Sequence, residues 1–411
     1  MNKFFNRFSK KQWIIIVISI LIVLNILGRA SKNNSIDPSA IPNKFKSTYT
    51  ELERRLNEFD ARLSSTWDGK KHDVIFGAEL LTANSHRGEG LLEPTSFQGN
   101  VVYLDALQKL GVQGVTIAVS YPLLQDDFPR SAEYLAFFKK VAQEVKRRGM
   151  TLNVESGIVF PQGKFTTLKV DYTGLTLDEY FKRQERMVEI IVREIHPDYL
   201  TIGNEPSTGT DLLGGQKITV ERYTQYVRDV IDGLDKKGAL IGAGAGDWDD
   251  TKYIEAFAKI PGLDYIDIHM YPLGSPQTDF LERAVQMAEI AQAHNKKLIS
   301  SEMWLYKAVG SDVYANVAAT PNIFGRDTFS FWAPLDQKWL DVMAKFANAY
   351  KFDYISPFWS KYFFAYLDYE QNKSKSANQL LGEADVQAVK NILSNTFSST
   401  GLHYRSIIRG N

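Results

Sequence analysis

The sequence predicts a closed barrel of eight parallel strands that alternate with helices. Three observations lead to this fold class. From residue 72 onward, eight short apolar runs alternate with longer amphipathic patterns, and parallel strands need such helical crossovers. The eight units occupy roughly 330 residues, which suits a (β/α)8 TIM barrel with elaborated loops. No G-x-G-x-x-G turn follows the first strand, although a doubly wound open sheet usually has one there.

The strands of this barrel are short apolar runs. They are predicted at 73–80, 114–120, 151–158, 198–206, 239–248, 264–272, 297–306 and 353–360. A helical pattern follows each strand, from "VVYLDALQKLG" after the first to "ADVQAVKNILSNTF" after the eighth. We interpret the glycines of "GAGAGDW" as thin positions of the fifth strand that make room inside the barrel.

Composition excludes several classes of protein. The 411 residues are 44% hydrophobic and 23% charged, which is normal for a globular protein with a sizeable core. Lys and Arg total 48, as do Asp and Glu, so no net charge favours nucleic acid as a partner. The absence of cysteine excludes thiol nucleophiles and cysteine-ligated metal. No H-E-x-x-H motif or strand-end lysine is present, so neither a metal nor a cofactor is predicted.

The N-terminus predicts export from the cytoplasm. Residues 1–12 are basic, and residues 13–27 form a predominantly apolar run without a charged residue. This run is shorter than a comfortable membrane-spanning helix of roughly 20 residues, yet it equals the longest core of a signal peptide. Residues 1–30 are therefore a membrane anchor or a signal peptide, and Arg29 inside the cleavage-like site favours the uncleaved anchor. The remaining chain lies outside the cytoplasm, at the cell membrane or secreted.

A linker and one helix precede the barrel. Residues 31–44 are polar and contain two prolines, as expected of a linker. An amphipathic helix follows, with Leu52, Leu56, Phe59 and Leu63 on one stripe. We expect it to plug or flank the barrel, so the domains are the anchor (1–30), the linker and helix (31–70) and the barrel (71–411).

Functional residues of such a barrel collect at the C-terminal ends of the strands. Carboxylates, one histidine and several aromatic residues stand there, a combination that suits carbohydrate, because sugar C–H faces stack on rings and hydroxyls need polar partners. These strand-end residues are Glu79, Glu155, Asn204, Glu205, Asp247, Trp248, His269, Tyr271, Glu302, Trp304 and Trp359.

Two glutamates stand out within this set. Glu205 in "IGNEP" and Glu302 in "LISSEMW" each follow an apolar strand, and three strand–helix units separate them. Their carboxylates are therefore expected to approach from opposite sides of the barrel mouth. Glycoside hydrolysis needs this arrangement, with one carboxyl group on each side of the scissile bond. One group must be protonated and the other ionised, so the environment must separate their pKa values.

The motifs "GNEP", "HMY" and "SEMW" resemble those of clan A of the glycoside hydrolases, and family 5 cellulases and mannanases are the nearest type. The resemblance covers roughly residues 70–395. It implies a retaining barrel enzyme in which Glu205 is the acid/base and Glu302 is the nucleophile. It also implies that Asn204 contacts the sugar 2-hydroxyl.

The resemblance assigns further substrate-binding positions. His269 and Tyr271 correspond to the clan's strand-six pair, in which the tyrosine hydroxyl bonds the nucleophile. Trp359 corresponds to the aromatic floor of the −1 subsite. Two positions depart from the pattern: strand two has no arginine, for which Arg87 is a substitute, and strand three has Glu155 where many members have histidine.

Several alternatives remain open from the sequence. Trp248 and Trp304 either line sugar subsites or pack at the rim, and the long loop 307–334 is either a wall of the cleft or a packed patch. A non-catalytic carbohydrate-binding barrel that serves in surface polysaccharide attachment or export is a competing function. A transglycosylase would use the same residues as a hydrolase. All three readings share a carbohydrate partner and contact the membrane only through the N-terminal segment.

Overall fold

A computed structural model of the chain describes residues 41–160, 168–213, 215–272, 280–309 and 321–410. Eight parallel strands form a closed barrel in which each strand pairs with its sequence neighbours and the last pairs with the first. All eight predicted strands, and the barrel itself, are confirmed. The strands are β1 (Ile75–Glu79), β2 (Gly114–Ala118), β3 (Thr151–Glu155), β4 (Tyr199–Thr201), β5 (Leu240–Gly246), β6 (Tyr265–His269), β7 (Lys297–Met303) and β8 (Phe352–Pro357).

Tyrosines fill the barrel interior toward the N-terminal ends of the strands. The Tyr199 ring lies 5.6 Å from the Tyr265 ring and 6.1 Å from the Tyr354 ring, between centroids. Glycines on neighbouring strands leave the space for these rings. A Cβ atom on Gly77 would lie 2.2 Å from the Tyr354 hydroxyl oxygen, and one on Gly242 would lie 2.1 Å from the Tyr265 ring. The glycines of β5 therefore do make room inside the barrel.

Helices cover the outside of the barrel and its mouth. They are α1 (Lys46–Thr66), α2 (Ser96–Leu110), α3 (Ser131–Arg147), α4 (Leu177–Ile190), α5 (Pro206–Leu212), α6 (Val220–Gly233), α7 (Lys252–Ala258), α8 (Glu282–Ala293), α9 (Pro321–Arg326), α10 (Ala333–Ala349), α11 (Tyr369–Asn372), α12 (Ala377–Leu393) and α13 (Ser399–Arg409).

The helix that closes the ring differs from the predicted one. α13 packs against α10 and α2, and its Tyr404 hydroxyl donates a hydrogen bond of 2.8 Å to the Gly77 carbonyl oxygen. α12, which contains most of the predicted closing helix, lies instead in the connection between β8 and α13. Its apolar pattern misled the prediction, because Val386, Val389 and Leu393 remain exposed rather than facing the core.

The helix before the barrel flanks it, which is one of the two predicted arrangements. Leu52, Leu56 and Leu63 are buried, and the Phe59 ring meets the Phe346 ring of α10 edge to face, with centroids 5.4 Å apart. The predicted anchor and most of the linker (residues 1–40) lie outside the described residues, so both stay predictions. None of the helices in the described part of the chain has the length and apolar character needed to cross a membrane.

Candidate active site

The two predicted glutamates meet at the barrel mouth. Glu205 follows β4, and Glu302 is the penultimate residue of β7. One carboxylate oxygen of each lies within 4.8 Å of the other, and both lie within 4.8 Å of a ring nitrogen of His269. The topology of the barrel therefore brings together two side chains that are almost a hundred positions apart in the sequence.

The backbone at Glu205 is held in an unusual conformation. Its φ of 43° lies in the left-handed region, which costs a non-glycine residue about 1–2 kcal/mol. Pro206 occupies the first turn of α5, directly after this residue, and its fixed φ suits a helix start. The Asp249 carboxylate accepts hydrogen bonds from the Ser207 amide (3.2 Å) and the Gly246 amide (2.9 Å). Asp249, in the turn after β5, thereby stabilises the start of α5 next to Glu205.

His269 lies beneath both glutamates and connects them to the barrel interior. Its Nδ1 is 2.8 Å from Glu205 Oε1 and 3.8 Å from Glu302 Oε2. Its Nε2 is 3.1 Å from Ser301 Oγ. The Ser301 hydroxyl donates its only proton to Asp267, so it accepts from His269 Nε2. Nε2 therefore carries hydrogen, and the raised pKa of His269 favours the positively charged imidazolium.

The surrounding carboxylates explain this charge. Glu155 Oε1 lies 3.0 Å from His269 Nε2, and both side chains are almost completely buried. Burial alone would lower the pKa of His269, but the negative charges of Glu155 and Glu302 and the contact with Asp267 raise it well above its ordinary value. Burial likewise acts to raise the pKa of Asp267, yet contacts with His269 and Ser301 lower it. Asp267 and His269 therefore form a buried ion pair below the cleft.

The surroundings of Glu302 shift its pKa in opposite directions. Burial, and then the charge of Glu155, raise its pKa well above the usual range, while His269 opposes this rise. The Tyr271 hydroxyl donates a hydrogen bond of 2.7 Å to Glu302 Oε2. Burial and the charge of Glu155 also raise the pKa of Glu79, a deeper carboxyl group, well above its ordinary value. Ionisation of Glu302 thus depends on two neighbours, the imidazolium and the tyrosine hydroxyl.

Two sets of these side chains have the spacing of metal ligands: Glu205, His269 and Glu302, and Glu155, Asp267 and His269. Both sets share His269. Direct contacts among the side chains, such as the 2.8 Å contact between His269 and Glu205, also hold this cluster together.

A large cleft of about 1670 Å³ opens above the glutamates. Aromatic side chains line one wall: the Tyr306 ring stacks on the Tyr271 ring with centroids 4.9 Å apart, and Phe324 lies 5.6 Å from Tyr306 and 5.5 Å from Trp359. Trp248 is 40% exposed at the rim and donates a hydrogen bond of 3.1 Å to Ser207 Oγ. Flat rings of this kind suit the C–H faces of sugars.

Most predicted site residues reach this cleft. Those that line it are Arg87, Glu155, Asn204, Glu205, Trp248, Tyr271, Glu302 and Trp359. The Asn204 carbonyl oxygen accepts a hydrogen bond from the Tyr223 hydroxyl (3.2 Å), which orients the residue before Glu205. Phe324, from the loop 307–334, lines the cleft as well, whereas Phe331 and Trp332 of the same loop are buried against Phe45, so one part of the described loop is a wall and another is a packed patch.

Two predicted substrate contacts need correction. Trp304 is fully buried behind the cleft wall, where its ring stacks on Tyr362 at 5.7 Å and lies 5.2 Å from the Lys307 ammonium group. The chain has left β7 before Trp304, so its side chain packs under the loop while Tyr306 faces the cleft. His269 is also fully buried, because the two glutamates cover it, and it acts on them rather than on a ligand.

The sequence reasoning missed two contributors. Asp267 is a charged residue in the middle of an apolar strand, two positions before His269, and that position was a usable signal. Tyr306 was placed at the end of the seventh strand without a role, although it follows Trp304 by two positions. Asp267 stabilises the imidazolium, and Tyr306 lines the cleft where Trp304 was expected to do so.

Neither a known family profile nor a curated protein sequence matches this chain. Solved structures are similar in fold. A GH5_18 protein from Streptomyces cattleya in complex with GlcNAc has 14% identity and a TM-score of 0.53, over 83% of this chain and 80% of that one. A GH5_18 protein from Bifidobacterium longum subsp. infantis has 14% identity and a TM-score of 0.53, over 83% and 79%. A GH5_18 variant from Bifidobacterium longum subsp. longum in complex with Manβ1-4GlcNAc has 14% identity and a TM-score of 0.53, over 82% and 78%.

These similarities extend across the barrel and beyond the strands alone, since each covers about four fifths of both chains. They agree with the fold that the clan A motifs implied. This chain therefore has the (β/α)8-barrel fold of the GH5_18 glycoside hydrolases.

Proposed function

We propose that this protein is a retaining β-glycosidase that acts on an extracellular polysaccharide or oligosaccharide. The observation that carries the proposal is the pair Glu205 and Glu302, with carboxylate oxygens within 4.8 Å of each other across an open cleft. Retaining glycosidases have carboxyl groups about 5–5.5 Å apart, whereas inverting enzymes need about 6.5–9.5 Å to admit a water molecule. The short separation supports double displacement.

The proposed reaction has two steps. In the first, ionised Glu302 attacks the anomeric carbon while the C–O bond to the leaving group breaks, and protonated Glu205 gives its proton to the departing oxygen. In the second, Glu205 takes a proton from water, whose oxygen attacks the anomeric carbon and releases Glu302. Two inversions leave the configuration of the sugar unchanged.

Two neighbours of the pair, His269 and Tyr271, act on the ionisation of these carboxyl groups. The His269 imidazolium lies between the two glutamates and stabilises negative charge on whichever one is ionised. Tyr271 donates its hydroxyl to Glu302 in the ionised state that attack requires. Because Glu302 has a raised pKa, we expect activity to fall on the acid side at a higher pH than an ordinary carboxyl group would give.

The comparisons support a carbohydrate occupant, since two of the similar structures contain GlcNAc or Manβ1-4GlcNAc. The aromatic wall formed by Tyr271, Tyr306 and Phe324 supports it as well. We also propose that the barrel works outside the cytoplasm, at the cell membrane or secreted, on the basis of the basic and apolar residues 1–27. Fractionation of cells that express a tagged full chain tests this location.

The function is tested by incubating the protein with aryl β-glycosides and a panel of β-linked polysaccharides. Product release with retained anomeric configuration, measured by NMR at early times, is the expected result. Glu302→Gln and Glu205→Gln should each abolish release of products from polysaccharides. Glu58→Gln, at an exposed position of α1, is the matched control and should keep full activity. Near-normal activity in either site variant, or inverted products, would contradict the proposal.

A further inference from the structure

The proposed roles of Glu205 and Glu302 define which side of the cleft binds the glycone and which side binds the aglycone. The acid/base protonates the leaving group, so the aglycone lies on the side of Glu205, at the ends of β4 and β5. The glycone then lies on the opposite side, toward β8 and β1, where Trp359 lines the cleft. An enzyme that removes single terminal sugars must close the cleft on this glycone side.

In this protein the cleft continues on the glycone side. Beyond Trp359 the same cavity runs between the first half of α2 and the second half of α12. Gly99 forms part of the first wall, and Val386 and Val389 form part of the second, where they are 55% and 54% exposed. The exposed face of α12, which distinguishes it from the helices packed on the barrel, is therefore a wall of the cleft.

Among the described residues, the cleft also extends to the aglycone side. Thr208 and Asp211 of α5 line it there, together with Trp248 at the rim. Its volume of about 1670 Å³ exceeds the roughly 300–1,000 Å³ of pockets that hold one drug-sized ligand. The space thus extends past the glutamates in both directions.

We infer that the cleft binds an internal stretch of a β-linked polysaccharide, with several sugar subsites on the glycone side between α2 and α12. The protein then cleaves within chains rather than at the non-reducing end. This inference rests on the proposed function for its direction, since Glu205 defines the aglycone side. Valines and a glycine offer a smooth apolar surface for the C–H faces of sugar rings, while Lys361, paired with Asp385 at 2.8 Å, lines the same part of the cleft for hydroxyl groups.

Gly99 allows a specific block of this region. A Cβ atom at Gly99 would meet nothing within 4 Å, so Gly99→Trp places an indole in the groove without a clash at its base. Gly233 is the matched control: it is exposed at the last position of α6, outside the cleft lining, and a Cβ atom there would come no closer than 3.9 Å to Glu185 Oε1. Gly233→Trp adds the same side chain to a helix away from the cleft.

The binding experiment uses the full chain carrying Glu302→Gln, so that ligands stay intact. Calorimetry measures the affinity for β-1,4-linked glucose, mannose and galactose oligosaccharides, from the disaccharide to the hexasaccharide. We expect affinity for one series to keep rising to the longest members, and Gly99→Trp to reduce the advantage of long over short chains by about tenfold, or 1.4 kcal/mol. Gly233→Trp should leave that advantage intact.

Product analysis with the unmodified protein completes the test. Early products longer than one sugar unit support the inference, and release of monosaccharide alone from every chain length overturns it. Equal length dependence in Gly99→Trp and Gly233→Trp, or no binding of any series, also overturns it. If chains bind with the expected length dependence but nothing is hydrolysed, the proposed activity fails while the polysaccharide cleft stands, so the two failures are distinguishable.

Discussion

Replacement of Tyr271 by phenylalanine isolates one hydrogen bond of the site. The hydroxyl donates to Glu302 Oε2 at 2.7 Å. The ring itself is held by Tyr306, with centroids 4.9 Å apart, and by Phe358, with centroids 5.9 Å apart. Tyr271→Phe therefore removes the donor and keeps the packing.

The size of the effect follows from the kind of bond. A hydrogen bond to a charged group contributes about 1.5–3 kcal/mol, which corresponds to roughly 1–2 pKa units for Glu302. The hydroxyl stabilises the ionised form, so its loss raises the pKa of Glu302 further. Because attack requires ionised Glu302, the acid limb of kcat/KM should move to higher pH by the same amount. At a pH below the new limb, kcat/KM should fall about 10- to 150-fold.

The assay is the pH dependence of kcat/KM on the best aryl β-glycoside or polysaccharide. Tyr404→Phe is the matched control, since it also deletes a buried hydroxyl, one that donates to the Gly77 carbonyl oxygen and not to a carboxylate. It should lower stability without moving the acid limb. If Tyr271→Phe leaves the limb in place and kcat/KM within about twofold, the hydroxyl does not support an ionised nucleophile and this reasoning is refuted.

Three further predictions concern stability and binding. Lys307→Met should lower the free energy of unfolding by about 3–5 kcal/mol in urea titrations, because it leaves the fully buried Asp336, 2.5 Å from the Lys307 ammonium nitrogen, without its cation; a loss below about 1 kcal/mol would count against it. Trp248→Ala should raise KM for oligosaccharides about tenfold with little change in kcat, since an exposed platform contributes equally to ground and transition states; an unchanged KM would exclude Trp248 as a sugar platform. Burial raises the pKa of Asp247 from 3.8 to about 7, so its contribution to stability is complete below pH 3.8 and is lost as the pH rises through 7. Asp247→Asn should therefore lose less stability than the wild type between pH 4 and pH 7, and parallel curves would contradict the assignment.

The pattern of apolar runs was sufficient for the architecture because it reports local chemistry. Each strand of the barrel is buried on both faces, so it appears in the sequence as a short apolar run, and the helices between such runs show their own period. The succession of eight units then leaves few ways to bury all strands other than closing them into a barrel. Glu205 and Glu302 could be paired for the same reason, since a parallel barrel brings the ends of β4 and β7 to one mouth.

The errors have a common cause. Trp304 and Tyr306 are both aromatic residues just beyond β7, and which of them faces the cleft depends on how the loop turns over Lys307 and Asp336. The amphipathic pattern of α12 is as strong as that of a ring helix, yet its exposed valines belong to the mouth. His269 was predicted to contact the substrate because it stands at the end of a strand. Its burial is produced by Glu205 and Glu302, which follow other strands and are distant from it in the sequence.

The amino-acid order alone thus establishes the barrel, the positions of the paired glutamates and the aromatic character of the mouth, because these follow from local periodicity and from residues next to strand ends. The charge of His269, the dependence of Glu302 on Tyr271 and the open groove between α2 and α12 arise only when the chain is folded. The two electrostatic properties combine desolvation with contacts between side chains from different strands, and the groove depends on how two helices pack. All three depend on distances that no sequence pattern encodes.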